Sequence, residues 1–331
     1  MRYIIIGAGA VGGTIGGRLY ESGHEVVLIA RGNHLKALRQ DGLRLATPQG
    51  VQQLAVPAHG GPLEVELRRD DVLVLAVKTQ HSEALLTEWA AQPVAGGGTA
   101  GELLPVLCAQ NGVANERLAL RRFRRVYGVC VWMPATHLEP GRVCALGSPL
   151  SGMLHLGRYP AGRDGTAERI AADLETARIG APVSDSVMSW KYAKLLSNLG
   201  NALEALSGPI RGDLRTAVWQ RARAEGEAVL AAAGIAYRST AEQQAVRGDL
   251  VTAVPVEGEP RPGGSSWQSL ARGTGDIEAD HLNGEIVLLG RLHGVPTPLN
   301  EALQRLANDF ARNGRAPGSL PEARLAALLE L

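Results

Sequence analysis

Residues 2–31 read RYIIIGAGAVGGTIGGRLYESGHEVVLIAR. A β-branched run, a glycine turn, a small-residue helix and a second apolar run follow in immediate succession. That order, strand–turn–helix–strand, is the context in which G-x-G-x-x-G carries information. Gly7, Gly9 and Gly12 fill the three glycine positions. The first permits a tight turn, the second lets a pyrophosphate approach the backbone, and the third lets the helix pack on the strand. Free N–H groups and a partial positive charge at the helix N-terminus suit phosphates. The stretch Gly7, Ala8, Gly9, Ala10, Val11 and Gly12 is therefore expected to hold a dinucleotide.

The second strand ends at Ile29-Ala30-Arg31. A ligand without a 2′-phosphate is commonly held there by an acid on the ribose hydroxyls. This chain has arginine instead, which favours NADP(H). A charge-assisted bond from Arg31 to a 2′-phosphate is worth roughly 1.5–3 kcal/mol. The competing reading of Arg31 is a solvated loop residue, and Arg18 and Lys36 are secondary candidates. Further on, DDVLVLAVKTQ (70–80) and LLPVLCAQNGVANE (103–116) are continuous apolar runs, as in a parallel sheet covered on both faces. They end in Lys78-Thr79-Gln80 and Gln110-Asn111-Gly112, at the sheet edge where ligands bind. Strand-like segments continue at 125–133, 142–147 and 152–157, a helix is expected at about 164–178, and GAPVSDSV (180–187) breaks the pattern.

The 331 residues suggest two domains, and the break sets them at 1–183 and 184–331. A net charge of +1 gives no electrostatic case for nucleic acid or a membrane surface. Cys108, Cys130 and Cys144 are odd in number and widely spaced, which argues against disulfides and a zinc site and for a reduced, cytoplasmic protein. The apolar run at the N-terminus is short and broken by glycines, unlike an export signal. The second half is patterned as helices at 187–206, 213–233, 239–252, 276–293 and 297–312, with no strand signal between them. Only four of the 34 basic residues are lysines, and one of them, Lys194, shares an otherwise apolar helix with Asn198 and Asn201 at offsets of four and seven. In an unbroken helix those offsets fall on one face.

The glycine motif, VKT at 77–79, QNG at 110–112, KLLSN at 194–198, SSW at 265–267 and DIEADHLNG at 276–284 come in the order and spacing of the ketopantoate reductase family, also called 2-dehydropantoate 2-reductase. The chain resembles that family up to about residue 310. The resemblance implies an α/β fold: an N-terminal Rossmann-type dinucleotide-binding domain followed by an all-helical C-terminal domain, with the active site in the cleft between them. It also implies roles. Lys194 corresponds to the family's general acid and Glu278 to its glutamate, both catalytic. Asn198 and Ser266 correspond to substrate-binding residues, Asn111 to the asparagine near nicotinamide and substrate, and Lys78 to a lysine lining the cofactor cleft. The family's second asparagine, eight residues after the lysine, is here Ala202; Asn201 stands one residue earlier and would serve in a shifted pose or signal a different substrate tail. Ser266 could instead cap the helix that follows it.

These readings lead to NADPH-dependent reduction of 2-dehydropantoate to pantoate, a step toward pantothenate and coenzyme A. Two alternatives stand beside it: reduction of another 2-oxo acid on the same scaffold, and a non-catalytic NADP-binding redox sensor. The expected partners are a small 2-oxo acid and a second copy of the chain through the helical domain. Neither nucleic acid, membrane nor metal is expected. Lys191 is expected at a cleft margin or in solvent, and His281 as a helix-face neighbour of Glu278.

Overall fold

The computed structural model describes residues 1–259 and 263–330. In chain order the strands are β1 Arg2–Ile6, β2 Glu25–Ile29, β3 Leu43–Thr47, β4 Gly50–Leu54, β5 Ala58–His59, β6 Asp71–Leu75, β7 Pro105–Cys108, β8 Arg125–Trp132, β9 Ala135–Thr136, β10 Arg142–Ala145, β11 Gly147–Pro149, β12 Gly152–Arg158, β13 Ile179–Gly180 and β14 Val251–Ala253. The helices are α1 Ala10–Glu21, α2 Gly32–Asp41, α3 Ser82–Ala90, α4 Ala100–Leu103, α5 Asn115–Leu120, α6 Gly165–Thr176, α7 Val187–Asn198, α8 Gly200–Ser207, α9 Asp213–Ala232, α10 Thr240–Arg247, α11 Ser265–Ala271, α12 Asn283–His293, α13 Pro298–Arg312 and α14 Glu322–Ala326. No described helix is long and apolar enough to cross a membrane.

The chain divides into two compact units, but not by a single cut near residue 183. The first comprises Met1–Gln110, Ala114–Lys191 and a stretch beginning at Ser239; the second comprises Asn111–Val113, Tyr192–Arg238 and the C-terminal remainder.

The first unit is built on a sheet of order β13-β12-β8-β7-β6-β1-β2-β5. β1 pairs in parallel with both β2 and β6, and β6, β7 and β8 continue in parallel. The chain runs outward from β1 to one side and then returns to the other. The carboxyl ends of β1 and β6 therefore flank the switch point, where open α/β sheets leave a crevice. Alternation in β1 sends Tyr3 and Ile5 to one core and Ile4 and Ile6 to the other, so both faces of the sheet are covered.

The glycine density of α1 has a packing cause. A Cβ on Gly12 or Gly16 would press on Ile5 or Leu28 of the main sheet at 2.9 and 2.6 Å. A Cβ on Gly13 or Gly17 would press on Val143 or Leu45 at 2.7 and 3.0 Å. Those last two residues belong to a second sheet, β4-β3-β10-β9. The helix is thus squeezed between two sheets, and small residues four apart on each flank let both close on it. Of that second sheet only β10, within the strand expected at 142–147, is read from sequence; the β3–β4 hairpin and β9 are not.

A strand also interrupts the helices expected after residue 187. Past α10 the chain forms β14, which pairs antiparallel with β11. Val256 then packs with Ala46, Cys144 and Leu146, the Arg247 guanidinium lies 4.4 Å from the Trp132 ring centroid, and Arg44 pairs with Glu259.

The second unit is helical among the described residues outside 111–113. Leu299, Leu303 and Phe310 form the buried stripe of α13 and join Leu203, Leu206, Val218 and Leu325 in one core. Glu225 accepts the Leu299 and Asn300 amides, both at 3.0 Å, at the start of α13, where a carboxylate complements the helix dipole.

Candidate active site

In the first unit the switch point is formed by the expected residues. Gly7 has φ +101°, and a Cβ there would sit 2.6 Å from Val77 Cγ1, so the glycine turn and the VKT loop touch. The Ala76 amide donates to the Ile6 carbonyl (2.9 Å), fixing the two strand ends side by side. A Cβ on Gly12 would lie 2.1 Å from the Gly7 carbonyl oxygen. Above Gly9, at the N-cap of α1, a Cβ would meet nothing within 4 Å. A tight turn, an open face over the second glycine and the end of a twelve-residue helix are what a pyrophosphate requires, so these residues fit a dinucleotide. Arg31 stands at the N-cap of α2, exposed and without an ion pair among the described residues. Arg18 does not fit a cofactor role: it is buried and bound to Glu21 (2.6 Å), Ser151 (2.8 Å) and Gln49 (3.0 Å).

Buried polar groups bind the VKT and QNG loops to each other. Gln110 Nε2 donates to the Val77 carbonyl (2.9 Å) and to Ser82 Oγ (2.7 Å). Ser82 donates to Asn115 Oδ1 (2.8 Å), and Asn115 Nδ2 donates to Thr79 Oγ1 (3.0 Å). Lys191 closes the network. Its ammonium donates to the Gln110 carbonyl (3.1 Å) and pairs with Glu116, and the two side chains are 2% and 0% exposed. The expectation of a marginal or solvated Lys191 is thus corrected; the partner that buries it lies too far along the chain for local pattern to reveal. Lys78 and Asn111, on the two loops so tied, are half-buried. Burial also pushes the Cys108 thiol well above its ordinary pKa, with the Glu116 charge acting in the same sense.

The second unit carries the other candidates. Lys194 is half-buried on α7, and Asn198 lies one turn later, 4% exposed, with a buried Nδ2 that has no hydrogen-bond partner among the described residues. Leaving such a donor unmet costs about 1–3 kcal/mol, which an arriving acceptor would recover. The expected single helix 187–206 is broken at Leu199, whose carbonyl accepts from Asn283 Nδ2 (3.1 Å). Asn283 in turn donates to Asn300 Oδ1 (3.0 Å), and Asn300 Nδ2 donates to the Ala222 carbonyl (2.9 Å). The buried carboxamide at the start of α12 thus ties the junction between α7 and α8 to a distant helix. Asn201 is the second residue of α8, past that break, so a count of seven from Lys194 along one unbroken helix does not define its face. It lies instead by the turn that opens α11: a Cβ on Gly264 would meet Glu204 Oε2 at 2.6 Å and Asn201 Oδ1 at 3.9 Å. Ser266 is buried in the first turn of α11, which packs on α8. No side-chain cap is made at the start of α11, whose N-cap is Gly264. Glu278 and His281 are not on the long helix expected at 276–293; they form a separate 3-10 turn, with Glu278 at its buried start.

These features define a class: an α/β protein of the dinucleotide-binding fold carrying a helical unit with buried polar groups. The family model Ketopantoate reductase PanE/ApbA matches residues 3–161, and its C-terminal counterpart matches residues 186–311. The chain belongs to the ketopantoate reductase PanE/ApbA family, a family of oxidoreductases. It is 26% identical to the 2-dehydropantoate 2-reductase of Pyrococcus horikoshii over 92% of this chain and 96% of that one. The Pyrococcus abyssi counterpart is 28% identical over 91% and 94%. A PanE/ApbA family ketopantoate reductase from Ralstonia eutropha JMP134 superposes with a TM-score of 0.77, at 30% identity, covering 95% of this chain and all of the other. A D-mandelate dehydrogenase solved with NADH and anilino(oxo)acetate shares the fold, with a TM-score of 0.78 at 22% identity over 96% and 100% of the two chains.

Proposed function

We propose that this protein is an NADPH-dependent 2-oxo acid reductase that acts on 2-dehydropantoate, in a cytoplasmic route to pantothenate. The observation that carries this reading is the buried, unmet amide of Asn198 one helical turn from Lys194. A 2-oxo acid offers carboxylate and carbonyl oxygens to such donors. Bound at the glycine turn, NADPH would supply hydride to the C2 carbonyl. Lys194 then stabilises the charge growing on the carbonyl oxygen and delivers the proton. Glu278 orients that ammonium or holds the new hydroxyl. Asn198, Asn201 and Ser266 hold the carboxylate and the substrate tail, and Asn111 and Lys78 serve at the nicotinamide side. The assay is NADPH oxidation with 2-dehydropantoate and with a panel of branched and aromatic 2-oxo acids. Preference for another acid would move the substrate while keeping the chemistry, and D-mandelate dehydrogenase on the same fold makes aromatic acids the natural second class. Inertness toward every acid, with intact cofactor binding, would favour the sensor. The reading also includes a homodimer, checked by sedimentation.

The choice of NADPH rests on Arg31 replacing an acid at the end of β2. Arg31→Ala is expected to weaken NADPH by about 10- to 100-fold while leaving NADH nearly unchanged. Fluorescence titration with both nucleotides measures this, and an equal loss for the two would remove Arg31 from the 2′-phosphate.

A further inference from the structure

The glycine turn is braced from outside itself by His34, in the first turn of α2. The ring Nε2 lies 2.8 Å from the Ala8 carbonyl oxygen, and Nδ1 accepts the Gly141 amide at 2.9 Å. A backbone N–H can only donate, so Nδ1 is bare and the ring proton sits on Nε2, donating to Ala8. Ala8 is the buried residue between Gly7 and Gly9. The far end of the brace is firmly seated. Gly141 has φ +76°, a Cβ there would come within 3.0 Å of Ala37 Cβ, and its carbonyl accepts the Arg44 amide (2.9 Å).

Only the neutral ring can make both bonds. A protonated ring donates from both nitrogens and would set N–H against N–H at Gly141. Burial holds the His34 pKa below the ordinary histidine value, with the Ala8 bond acting in the opposite sense. His137 faces the ring at 4.3 Å between centroids. Glu139 and Arg142 of the same loop pair with each other (2.7 Å). On the β5 side His59 and Arg39 both approach Glu64. Arg31 is the N-cap of α2 and Lys36 lies on it.

We propose that His34 is a positioning residue for the cofactor: its neutral ring, seated on Gly141, holds the Ala8 peptide so that the amides entering α1 present to the pyrophosphate, and protonation, which sets Nδ1–H against the Gly141 amide, unseats the ring that holds it. The proposal rests on reading the glycine turn as a dinucleotide site. Because the pKa is lowered, the brace is fully present above the ordinary histidine value and is lost as pH falls through the lowered one.

The test is the NADPH dissociation constant, by fluorescence titration from about pH 7.5 to about pH 5, for wild type, His34→Gln and His34→Ala. Glutamine can donate to Ala8 but does not titrate. His34→Gln is expected to bind within about threefold of wild type at the upper pH and to lack its acid limb. Wild type should lose about tenfold more affinity than His34→Gln over that range; titration of the nucleotide itself is common to both and cancels. His34→Ala should bind about tenfold more weakly throughout, since a bond holding the turn is gone. Melting curves confirm that the variants fold. Parallel pH profiles for wild type and His34→Gln, or wild-type affinity in His34→Ala, would overturn the proposal while leaving the dinucleotide site standing. Failure of wild type to bind NADPH or NADH at any pH would sink the site and the proposal together.

Discussion

Lys194→Ala is expected to lower turnover by about 10²–10⁴-fold while leaving NADPH affinity within a factor of about two. The asymmetry follows from the part the ammonium is given. A general acid acts where charge develops, so its loss falls on kcat and far less on binding of a nucleotide seated by the glycine turn. Lysine suits the task because its proton can leave at a cost the surroundings adjust, whereas arginine stays charged. Lys194→Arg should therefore keep the positive charge and the binding of a 2-oxo acid, yet recover little turnover. Stopped-flow single-turnover kinetics would separate the chemical step from product release. Turnover within about threefold of wild type in Lys194→Ala would take the proton transfer away from this residue.

Lys191→Met is expected to destabilise the fold by about 3–5 kcal/mol, because it strands the Glu116 carboxylate in the interior. The lysine is 2% exposed and the glutamate 0% exposed. Neither has solvent to fall back on. The double variant Lys191→Met with Glu116→Gln removes both charges and should regain part of the loss, as replacing whole buried pairs does elsewhere. Urea denaturation of the three variants measures the cycle. A loss below about 1 kcal/mol in Lys191→Met would mean that the pair does not hold the QNG loop.

What sequence reveals here is what neighbours in the chain decide. The turn at Gly7, Gly9 and Gly12, the adjacent strands, and the polar ends of β6 and β7 are written in local period and composition, and the structure has them where the pattern puts them. Elements made by distant partners are not visible in that way. The α7–α8 junction is tied down by Asn283, which reaches the Leu199 carbonyl from far along the chain. β14 is three residues long and owes its existence to β11. The role of Lys191 depends on Glu116, and the burial of Arg18 on Ser151 and Gln49. The role of His34 depends on Gly141, more than a hundred residues away in the chain. In each case the deciding contact joins segments whose separation no periodicity spans.

The return of the chain to β11 bears on how the protein is made. A ribosome releases the residues of β1 to β12 long before it reaches Val251. Until then β11 lacks its partner strand, Cys144 and Leu146 lack Val256, and Arg44 lacks Glu259. Domains on a nascent chain commonly complete in order of emergence. Here the nucleotide-binding half is finished only after much of the helical half has been synthesised, and a fragment stopped near residue 183 would lack β14, the strand with which β11 forms its two-stranded sheet.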